Sequence, residues 1–402
     1  MKLLELCMIT LVAVAGPTEQ SGEPSTTPTP AGPPASPPAD PATSPPADPP
    51  DPPGPPGRLE TAASLYVRAD TDRTTVISPR ARLRTRLGDD RSHLDLVYAV
   101  DAWTSASIDV RTAASPVVRE QRDEVGVGVD REWPWGRVAV SYRVSHENDY
   151  LSNSGSVSVQ ADALQRTVTI DARALAGGDI VGRAGDERFR RTIGYGGLFF
   201  GYTHVLTRTT LAQAALDFRA QRGYLASPYR WVSLGAAGLC ADAAGLCIPE
   251  QHPGRRLRLA AVGRVRQALA RRWSLGAGYR LYRDSWGVLG HTGLLDVRVR
   301  PLDTITLGLE GRGYTQGAAD FYRAAYPNVP SQGWLTRDRE LSSMWNVRGG
   351  LVLDGRWVVG REGGAVLNIG ALAAGSYYGY REFVGLDGVA VLELTGSIGV
   401  SL

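Results

Sequence analysis

Apolar residues occupy every second position in a long series of stretches that runs from about Thr61 to the last residue. The final stretch is representative, with Ala390, Leu392, Leu394, Ile398, Val400 and Leu402 on one face and Glu393, Thr395, Ser397 and Ser401 on the other. Alternation of period two is typical of β-strands with one apolar and one polar face. Because no stretch of helical period separates these strands, the pattern predicts a closed antiparallel all-β barrel whose apolar side contacts lipid.

The predicted strand count is about 16, in a range of roughly 14 to 18, because strand boundaries read from a sequence slip by a few residues. Tight connections are predicted at 88–90, 134–136, 163–165, 206–208, 270–272 and 301–303. Longer connections alternate with them, at 105–119, 147–153, 175–190, 221–254, 285–290 and 315–339. The stretch 351–364 fits either a strand or a turn. Short turns at one end and long loops at the other are typical of bacterial outer-membrane barrels.

The polar face of the predicted strands carries many charges, and a charge facing lipid costs ~2 to 4 kcal/mol at the membrane midplane. This face is therefore predicted to line the lumen, with candidate residues Arg82, Arg84, Arg86, Glu124, Asp130, Arg256, Arg258, Asp296, Arg298, Arg300, Glu310 and Arg312. A barrel of about 16 strands is wide enough for an aqueous interior. The opposite charges either create a transverse field or pair with one another, and pairing is the favoured interpretation.

Aromatic residues near the ends of the predicted strands fit the belts that form at membrane interfaces. They are Trp103, Trp133, Trp135, Trp273, Tyr279 and Trp357.

Two segments precede the predicted barrel, which spans residues 58–402. Residues 1–15 fit an export signal, with Lys2, a short apolar run and a small-residue cleavage pattern at 13–15. Residues 16–57 are rich in proline, alanine and aspartate and contain the sequence SPPADP twice. This composition predicts a disordered linker in the periplasm, which serves either as a spacer or as a docking segment for a periplasmic protein.

Charge and cysteine content narrow the chemistry. The formal net charge of +3 is too small to indicate nucleic-acid binding. Cys240 and Cys247 are predicted to form a disulfide in an exported protein. The sequence contains no zinc-ligand spacing, haem-attachment motif or glycine-rich phosphate loop, so no metal or cofactor is predicted.

A few residues near the predicted loops have chemistry that suits catalysis or cation binding. Ser285 lies near Asp284 and His291, as a hydrolase would require, but no nucleophile-elbow sequence is present, so the chain is predicted not to be an enzyme. Carboxylates at Glu147, Asp149, Asp284 and Asp320 would suit a hard cation if they were adjacent. Hydrogen bonds that hold the loops over the mouth explain the same residues and are the favoured interpretation.

Several motifs lie in or beside the predicted external loops, at 145–150, 223–230, 282–292 and 314–322, and the stretches 77–79 and 106–109 are grouped with them. Their candidate residues are Glu147, Asp149, Tyr150, Tyr224, Tyr229, Arg230, Asp284, Trp286, His291, Gln316, Asp320 and Tyr322. In number and order these motifs resemble a family of bacterial proteins of unassigned function that are regarded as outer-membrane β-barrels. The resemblance covers most of residues 62–345. It implies an exported barrel that contacts outer-membrane lipid and the assembly machinery, with a link to redox proteins of the envelope.

The sequence therefore predicts a bacterial outer-membrane barrel that acts as a porin-like conduit with an arginine-rich lumen of mixed charge. An alternative hypothesis is a non-conducting scaffold for a periplasmic, redox-linked complex held by the proline-rich segment. A barrel-borne hydrolase is the second alternative.

Overall fold

The computed structural model describes residues 59–105, 118–235, 240, 246–360 and 364–402. The predicted signal (1–15), the predicted linker (16–57) and the stretch 106–109 lie outside the described residues. The strands are β1 Leu59–Asp70, β2 Thr74–Arg86, β3 Ser92–Ser105, β4 Val118–Trp133, β5 Gly136–His146, β6 Tyr150–Ala163, β7 Val168–Val181, β8 Arg191–Val205, β9 Thr210–Gly223, β10 Trp231–Ser233, β11 Cys247–Pro249, β12 Arg255–Ala270, β13 Trp273–Asp284, β14 Leu289–Leu302, β15 Ile305–Gln316, β16 Met344–Val359, β17 Ala365–Tyr380 and β18 Gly388–Ser401.

All strands except β10 and β11 form one closed antiparallel barrel of sixteen strands, in which neighbours in sequence are neighbours in space. The barrel closes where β1 pairs with β18, a pairing extended by a hydrogen bond from Leu402 N to Leu59 O at 2.9 Å. Across the same seam, the Tyr66 hydroxyl donates to Glu393 Oε1 at 2.8 Å. The predicted all-β barrel fold is confirmed.

Among the described residues, the only helical element is a 3₁₀ turn at Arg339–Leu341. No helix in this part of the chain is long and apolar enough to cross a bilayer.

The two faces of the barrel differ chemically as the alternation predicts. On β14 and β16, Leu295 and Leu351 point outward and are 63% and 64% exposed. The inward face instead buries charged groups, such as Arg84 at 5% and Asp130 at 3% exposure. Cross-strand partners share a face, and the register carries this assignment around the whole ring. An apolar outside and a charged inside are the arrangement that lipid requires.

The connections differ in length between the two ends of the barrel. At the end that we call the short-turn end, they are 87–91, 134–135, 164–167, 206–209, 271–272, 303–304 and 360–364. At the opposite, long-loop end, they are 71–73, 106–117, 147–149, 182–190, 224–254, 285–288, 317–343 and 381–387. Every predicted tight connection falls at the short-turn end. In outer-membrane barrels, the short turns are periplasmic and the long loops are external.

Some predicted loop bounds are wrong because the strands extend further than the sequence pattern indicates. The connection predicted at 175–190 begins only at 182, since β7 continues through a run of small residues to Val181. Tyr195 of β8 fills the space above Gly177 and donates to Asn153 O at 3.2 Å. The aromatic ring on β8 thus fills the space that the small residues of β7 leave, and the two strands stay paired.

Other bounds shift for the same reason. The predicted connections 147–153, 285–290 and 315–339 become 147–149, 285–288 and 317–343. The ambiguous stretch after Leu351 continues as β16 to Val359, with Trp357 packed over Gly355. Trp103 is paired with Val76 on the inward face and so does not belong to an interfacial belt. Trp133 and Trp135, by contrast, stack 5.7 Å apart at the short-turn end.

Because neighbouring residues of β14 face lipid and lumen in turn, two adjacent substitutions on this strand should destabilise the barrel to different extents. Leu295→Arg would place a charge on the lipid face near the middle of the strand, and we expect it to lower the free energy of unfolding by about 2 to 4 kcal/mol. Leu294 faces the lumen opposite Arg312, so Leu294→Arg should lower the free energy of unfolding by less. Urea unfolding of both variants from vesicles measures the difference, and equal destabilisation would contradict the assignment.

Candidate functional site

The lumen wall at β2, β3 and β4 is lined by ion pairs. Arg82 contacts Asp95 at 2.5 Å. Asp130 is shared by two arginines, Arg84 at 3.2 Å and Arg137 at 2.7 Å. Because Asp130 is only 3% exposed, its charge requires partners of this kind. The favoured interpretation of the charge rows as internal pairs therefore fits this wall.

A second network lines the wall from β12 to β18. Arg298 contacts Asp296 at 3.4 Å and Glu310 at 3.5 Å. Arg348 joins Glu310 at 2.6 Å and Glu393 at 2.9 Å, and Arg266 reaches Asp296 at 2.5 Å, so the network draws side chains from β12, β14, β15, β16 and β18. These side chains hold one another against the wall.

The register places every predicted lumen candidate on the inward face, but their contacts differ. The candidates that pair with carboxylates are Arg82, Arg84, Arg86, Arg256 and Arg298. Arg312 donates to Asn346 Oδ1 at 2.6 Å. Arg258 and Arg300 have no carboxylate within ion-pair distance among the described residues.

One histidine that sequence reasoning missed belongs to the β3–β4 wall. His93 Nδ1 lies 3.1 Å from Asp130 Oδ2, and His93, Asp130 and Glu132 each bring one ligand-type atom within 4.8 Å of the others. Two guanidinium groups already contact Asp130, and they would repel a metal cation. The arrangement is better suited to an ion-pair network. The sequence did carry a signal for this placement, because His93 lies two positions from Asp95 on the same strand and so shares its inward face.

At the long-loop end, the connections 285–288 and 317–343, with the described part of 224–254, form a folded unit that we call the cap. Its main apolar core contains Trp286, Val288, Phe321, Tyr322 and Leu341. A second core joins Val232, Tyr326 and Leu335. Loops that only surround a pore do not need apolar cores. The two cores therefore show that the cap is packed internally.

Buried charges join two parts of the cap. Glu250 accepts from Arg230 at 3.1 Å and from the Thr336 hydroxyl at 2.8 Å, and Arg230 also contacts Asp338 at 3.1 Å. Burial alone would raise the pKa of Glu250, but attraction to Arg230 and His252 outweighs it and lowers this pKa to about 2. The carboxylate therefore stays charged and links 224–254 to 317–343 at any physiological pH.

The cap is fastened to the inner wall of the mouth. Gln316, the last inward residue of β15, donates from Nε2 to Glu340 O at 2.6 Å and Ser342 O at 2.9 Å. Arg339 reaches Asp72 in the β1–β2 connection at 2.6 Å. Since these partners face the lumen or its rim, the segment 336–342 folds into the mouth.

Further contacts tie the cap to neighbouring loops. The Tyr322 hydroxyl donates to Glu382 O at 3.1 Å in the β17–β18 connection. The Tyr229 hydroxyl donates to Asp149 in the β5–β6 connection and accepts from Ala184 N at 2.9 Å. The cap is thus braced on several sides of the rim.

The predicted loop residues divide between the cap and the strands. Tyr224, Tyr229, Arg230, Trp286, Asp320 and Tyr322 lie in the cap, and Glu147 and Asp149 lie in the β5–β6 connection. Tyr150, Asp284, His291 and Gln316 lie beside the loops, within the first or last three residues of their strands. The stretch 77–79 likewise lies within β2. The polar side chains of Tyr150, Asp284 and Gln316 make lumen or rim contacts, which sequence alternation near a strand end does not distinguish from loop contacts.

The three residues considered for hydrolysis make separate contacts. His291 Nδ1 lies 2.6 Å from the Tyr279 hydroxyl on the outward face. Ser285 Oγ accepts from Leu257 N at 3.0 Å, while Asp284 receives Arg256 at 2.5 Å. These contacts give hydrolysis no support. Cys240 and Cys247 form a disulfide within 224–254.

The carboxyls of Glu147 and Asp149 are buried beside the cap without full compensation. Glu147 Oε2 and Asp149 Oδ1 accept no hydrogen bond from the described residues. Burial, with repulsion between the two carboxyls, raises the pKa of Glu147 to about 7. Burial also raises the pKa of Asp149 to about 6, against the opposing effect of the Tyr229 hydroxyl.

These shifts predict a pH dependence of the β5–β6 connection. The folded state holds both protons more tightly than the unfolded chain, whose carboxyls titrate at 4.5 and 3.8, so this region gains stability as pH falls from 8 toward 5. For Glu147 the gain amounts to about 3 kcal/mol at most. Hydrogen exchange at 147–150 measures it. In Glu147→Gln the change in protection between pH 8 and pH 5 should be smaller, because only Asp149 still titrates there. A wild-type loop less protected at pH 5 than at pH 8 would contradict the prediction.

Comparisons with known proteins agree with the barrel architecture. The family described as "Protein of unknown function (DUF3570)" matches residues 190–363, which run from the start of β8 to the β16–β17 turn. No curated protein matches the chain. A bacterial polysaccharide outer membrane secretin matches with a TM-score of 0.52 and 6% identity, over 86% of this chain and 99% of the secretin chain.

Two other solved structures are less similar. CdiB from Acinetobacter baumannii has a TM-score of 0.46 and 8% identity, over 85% of this chain and 60% of that chain. The CymD monoaromatic hydrocarbon channel has a TM-score of 0.37 and 10% identity, over 86% of this chain and 89% of that chain. At such identities the likeness concerns the fold alone. By its closed ring, its apolar exterior and its charged interior, the chain is a sixteen-strand β-barrel of the outer-membrane type.

Proposed function

We propose that the protein is an outer-membrane conduit for small polar solutes, with a charged lumen and a mouth constricted by the cap. The observation that carries the proposal is the inner face of the closed sixteen-strand ring, which is lined by charged side chains. Barrels of 16 to 18 strands leave an aqueous channel unless a loop or domain fills them. Ion pairs that lie along the wall are compatible with water-filled space beside them.

Inward glycines support this interpretation by leaving room for the paired side chains at the wall. A Cβ at Gly276 would lie 2.9 Å from Arg266 Nη2, and one at Gly350 would lie 3.2 Å from Glu310 Cγ. A larger residue at either position would displace its charged neighbour. The glycines therefore let long side chains lie flat on the wall and keep them out of the centre of the lumen.

The cap favours a gated conduit rather than a permanently open pore. Its segment 336–342 folds into the mouth and is held by Gln316 and Asp72. Contacts of this kind narrow the entrance without any change in the barrel. A solute would enter through the gaps that the cap leaves or when the contacts to Asp72 open.

Charge reversal in the lumen tests the conduit. Arg258→Glu combined with Arg300→Glu changes two inward residues that have no carboxylate partner among the described residues, so neither change leaves a known partner unpaired. We expect the reversal potential in a salt gradient to shift toward cation selectivity. Arg283→Glu, on the outward-facing side of β13 near its end, is the matched control. Unchanged reversal potentials in a conducting preparation would contradict the proposal.

A non-conducting scaffold is the second candidate, and the packed cap cores favour it. In that function the barrel would hold a periplasmic partner through residues 16–57. Removal of residues 18–56 distinguishes the two functions. A conduit should insert and conduct without this segment, whereas a scaffold should lose its partner in a pull-down from envelope extracts.

A further inference from the structure

Two inward arginines of β12 differ from the other inward arginines of that strand. Arg258 and Arg264 form no ion pair or hydrogen bond with any residue of the described chain, and the Nε atom of each is buried. On the same strand, Arg256 contacts Asp284 at 2.5 Å and Arg266 contacts Asp296 at 2.5 Å. The wall thus contains arginines whose charge is neutralised and others whose charge is not.

The surroundings of Arg258 show why its charge stays uncompensated. Its cross-strand neighbours are Arg219 on β9 and Asp284 on β13. Asp284 is already bound by Arg256, and Arg219 is paired with Asp217 at 3.0 Å. Each nearby carboxylate therefore has a guanidinium of its own, and Arg258 adds one net positive charge at this level of the lumen.

Arg264 sits in a comparable position closer to the short-turn end. Its cross-strand neighbours, Gln213 and Gly278, bring no carboxylate. A Cβ at Gly278 would lie 3.0 Å from Cγ of Arg264, so the glycine lets the arginine stem lie against the wall. The guanidinium is thereby placed beside the lumen with its stem supported.

An uncompensated guanidinium at a lumen wall is suited to a negatively charged oxygen group. Its planar fork of N–H donors matches carboxylates and phosphates in a bidentate manner. Arg258 and Arg264 are six residues apart on one strand, which corresponds to about 20 Å along the wall. Two separated sites of moderate strength would let a solute bind and still move on, as conduction requires.

We propose that the β12 wall binds oxyanions, carboxylate or phosphate groups, at two successive sites, Arg258 and Arg264. The inference rests on the proposed conduit for the passage of the solute and names its charge class. Binding at either site does not itself require conduction.

The test is an equilibrium titration of the refolded full-length chain in detergent with inorganic phosphate, acetate and chloride. We expect saturable binding of at least one oxyanion and much weaker binding of chloride. Arg258→Gln and Arg264→Gln should each weaken oxyanion binding at the substituted site about tenfold and leave the other site unchanged, the effect of losing one strong hydrogen bond to a charged group. Phosphate and acetate as separate arms distinguish the two oxyanion chemistries.

Arg283→Gln is the matched control, because Arg283 lies on the outward face of β13, the strand next to β12, and does not face the lumen. It should leave oxyanion binding unchanged, and heat-modifiable migration should show that all three variants fold. Unchanged affinity in both β12 variants, or chloride binding as strong as oxyanion binding, would overturn the inference. Oxyanion binding without conduction would overturn the conduit and leave the two sites standing. Conduction without oxyanion binding would overturn the two sites and leave the conduit standing.

Discussion

Glu250→Ala should release the cap from its folded state while leaving the barrel intact. The Glu250 carboxylate is fully buried and is shared by Arg230, Thr336 and the Ser227 amide. Its removal leaves a buried guanidinium with less compensation, and breaking a buried pair typically costs about 3 to 5 kcal/mol. We expect hydrogen-exchange protection at 322–341 to fall by a factor of about 150 to 5,000.

The matched control for Glu250→Ala is Asp186→Asn in the β7–β8 connection. Asp186 forms a looser pair with Arg183 at 3.8 Å, and its side chain is 43% exposed. Exposed pairs contribute about 0 to 1 kcal/mol, so protection in the cap should hardly change. The pKa of Glu250 lies below that of an unfolded glutamate, so its contribution should persist at pH 5 and disappear only as pH falls from about 4.5 to 2. Equal protection in both variants would contradict the role given to Glu250.

Arg339→Ala should widen the mouth by detaching the segment 336–342 from the β1–β2 connection. Arg339 and Asp72 are both buried, and their contact at 2.6 Å crosses from the cap to the rim. The substitution leaves Asp72 without this partner at a cost of about 3 to 5 kcal/mol. We expect a larger unitary conductance in planar bilayers and faster protease cleavage within 317–343.

Arg323→Ala provides the control for Arg339→Ala. Arg323 lies in the same connection, is exposed, and donates to the carbonyls of Asp320 and Tyr322 at 3.1 and 2.7 Å. Because these contacts stay within one loop, the variant should conduct as the wild type does. An Arg339→Ala protein with wild-type conductance and cleavage would show that this contact does not restrict the mouth.

The barrel was predictable because alternation over many strands admits one solution. A charged face and an apolar face on every strand, with no helical stretch between, require a closed ring in lipid. The face of each lumen candidate was also predictable, since residues two positions apart on a strand, such as Arg256 and Arg258, share a face. Strand ends were less predictable, because Gly177 and Gly178 resemble a loop until Tyr195 of the neighbouring strand is seen to cover them.

Loops held over the mouth were expected from the sequence, but the contacts that build the cap could not be predicted, because they join residues far apart in the sequence. Arg339 meets Asp72 and Glu250 meets Thr336 through pairings that no local period records. The same holds for Arg258 and Arg264: their sequence positions show that they face the lumen, but only the contacts show that neighbouring arginines have taken the available carboxylates. Alternation thus specifies the wall, and long-range packing specifies the mouth.

Single-channel recording of the refolded full-length chain in a planar bilayer tests whether the barrel is a conduit. We expect discrete current steps from the wild type and larger steps from Arg339→Ala. A folded, heat-modifiable protein that inserts but passes no current, in the wild type and in Arg339→Ala alike, would contradict a conduit and favour a scaffold.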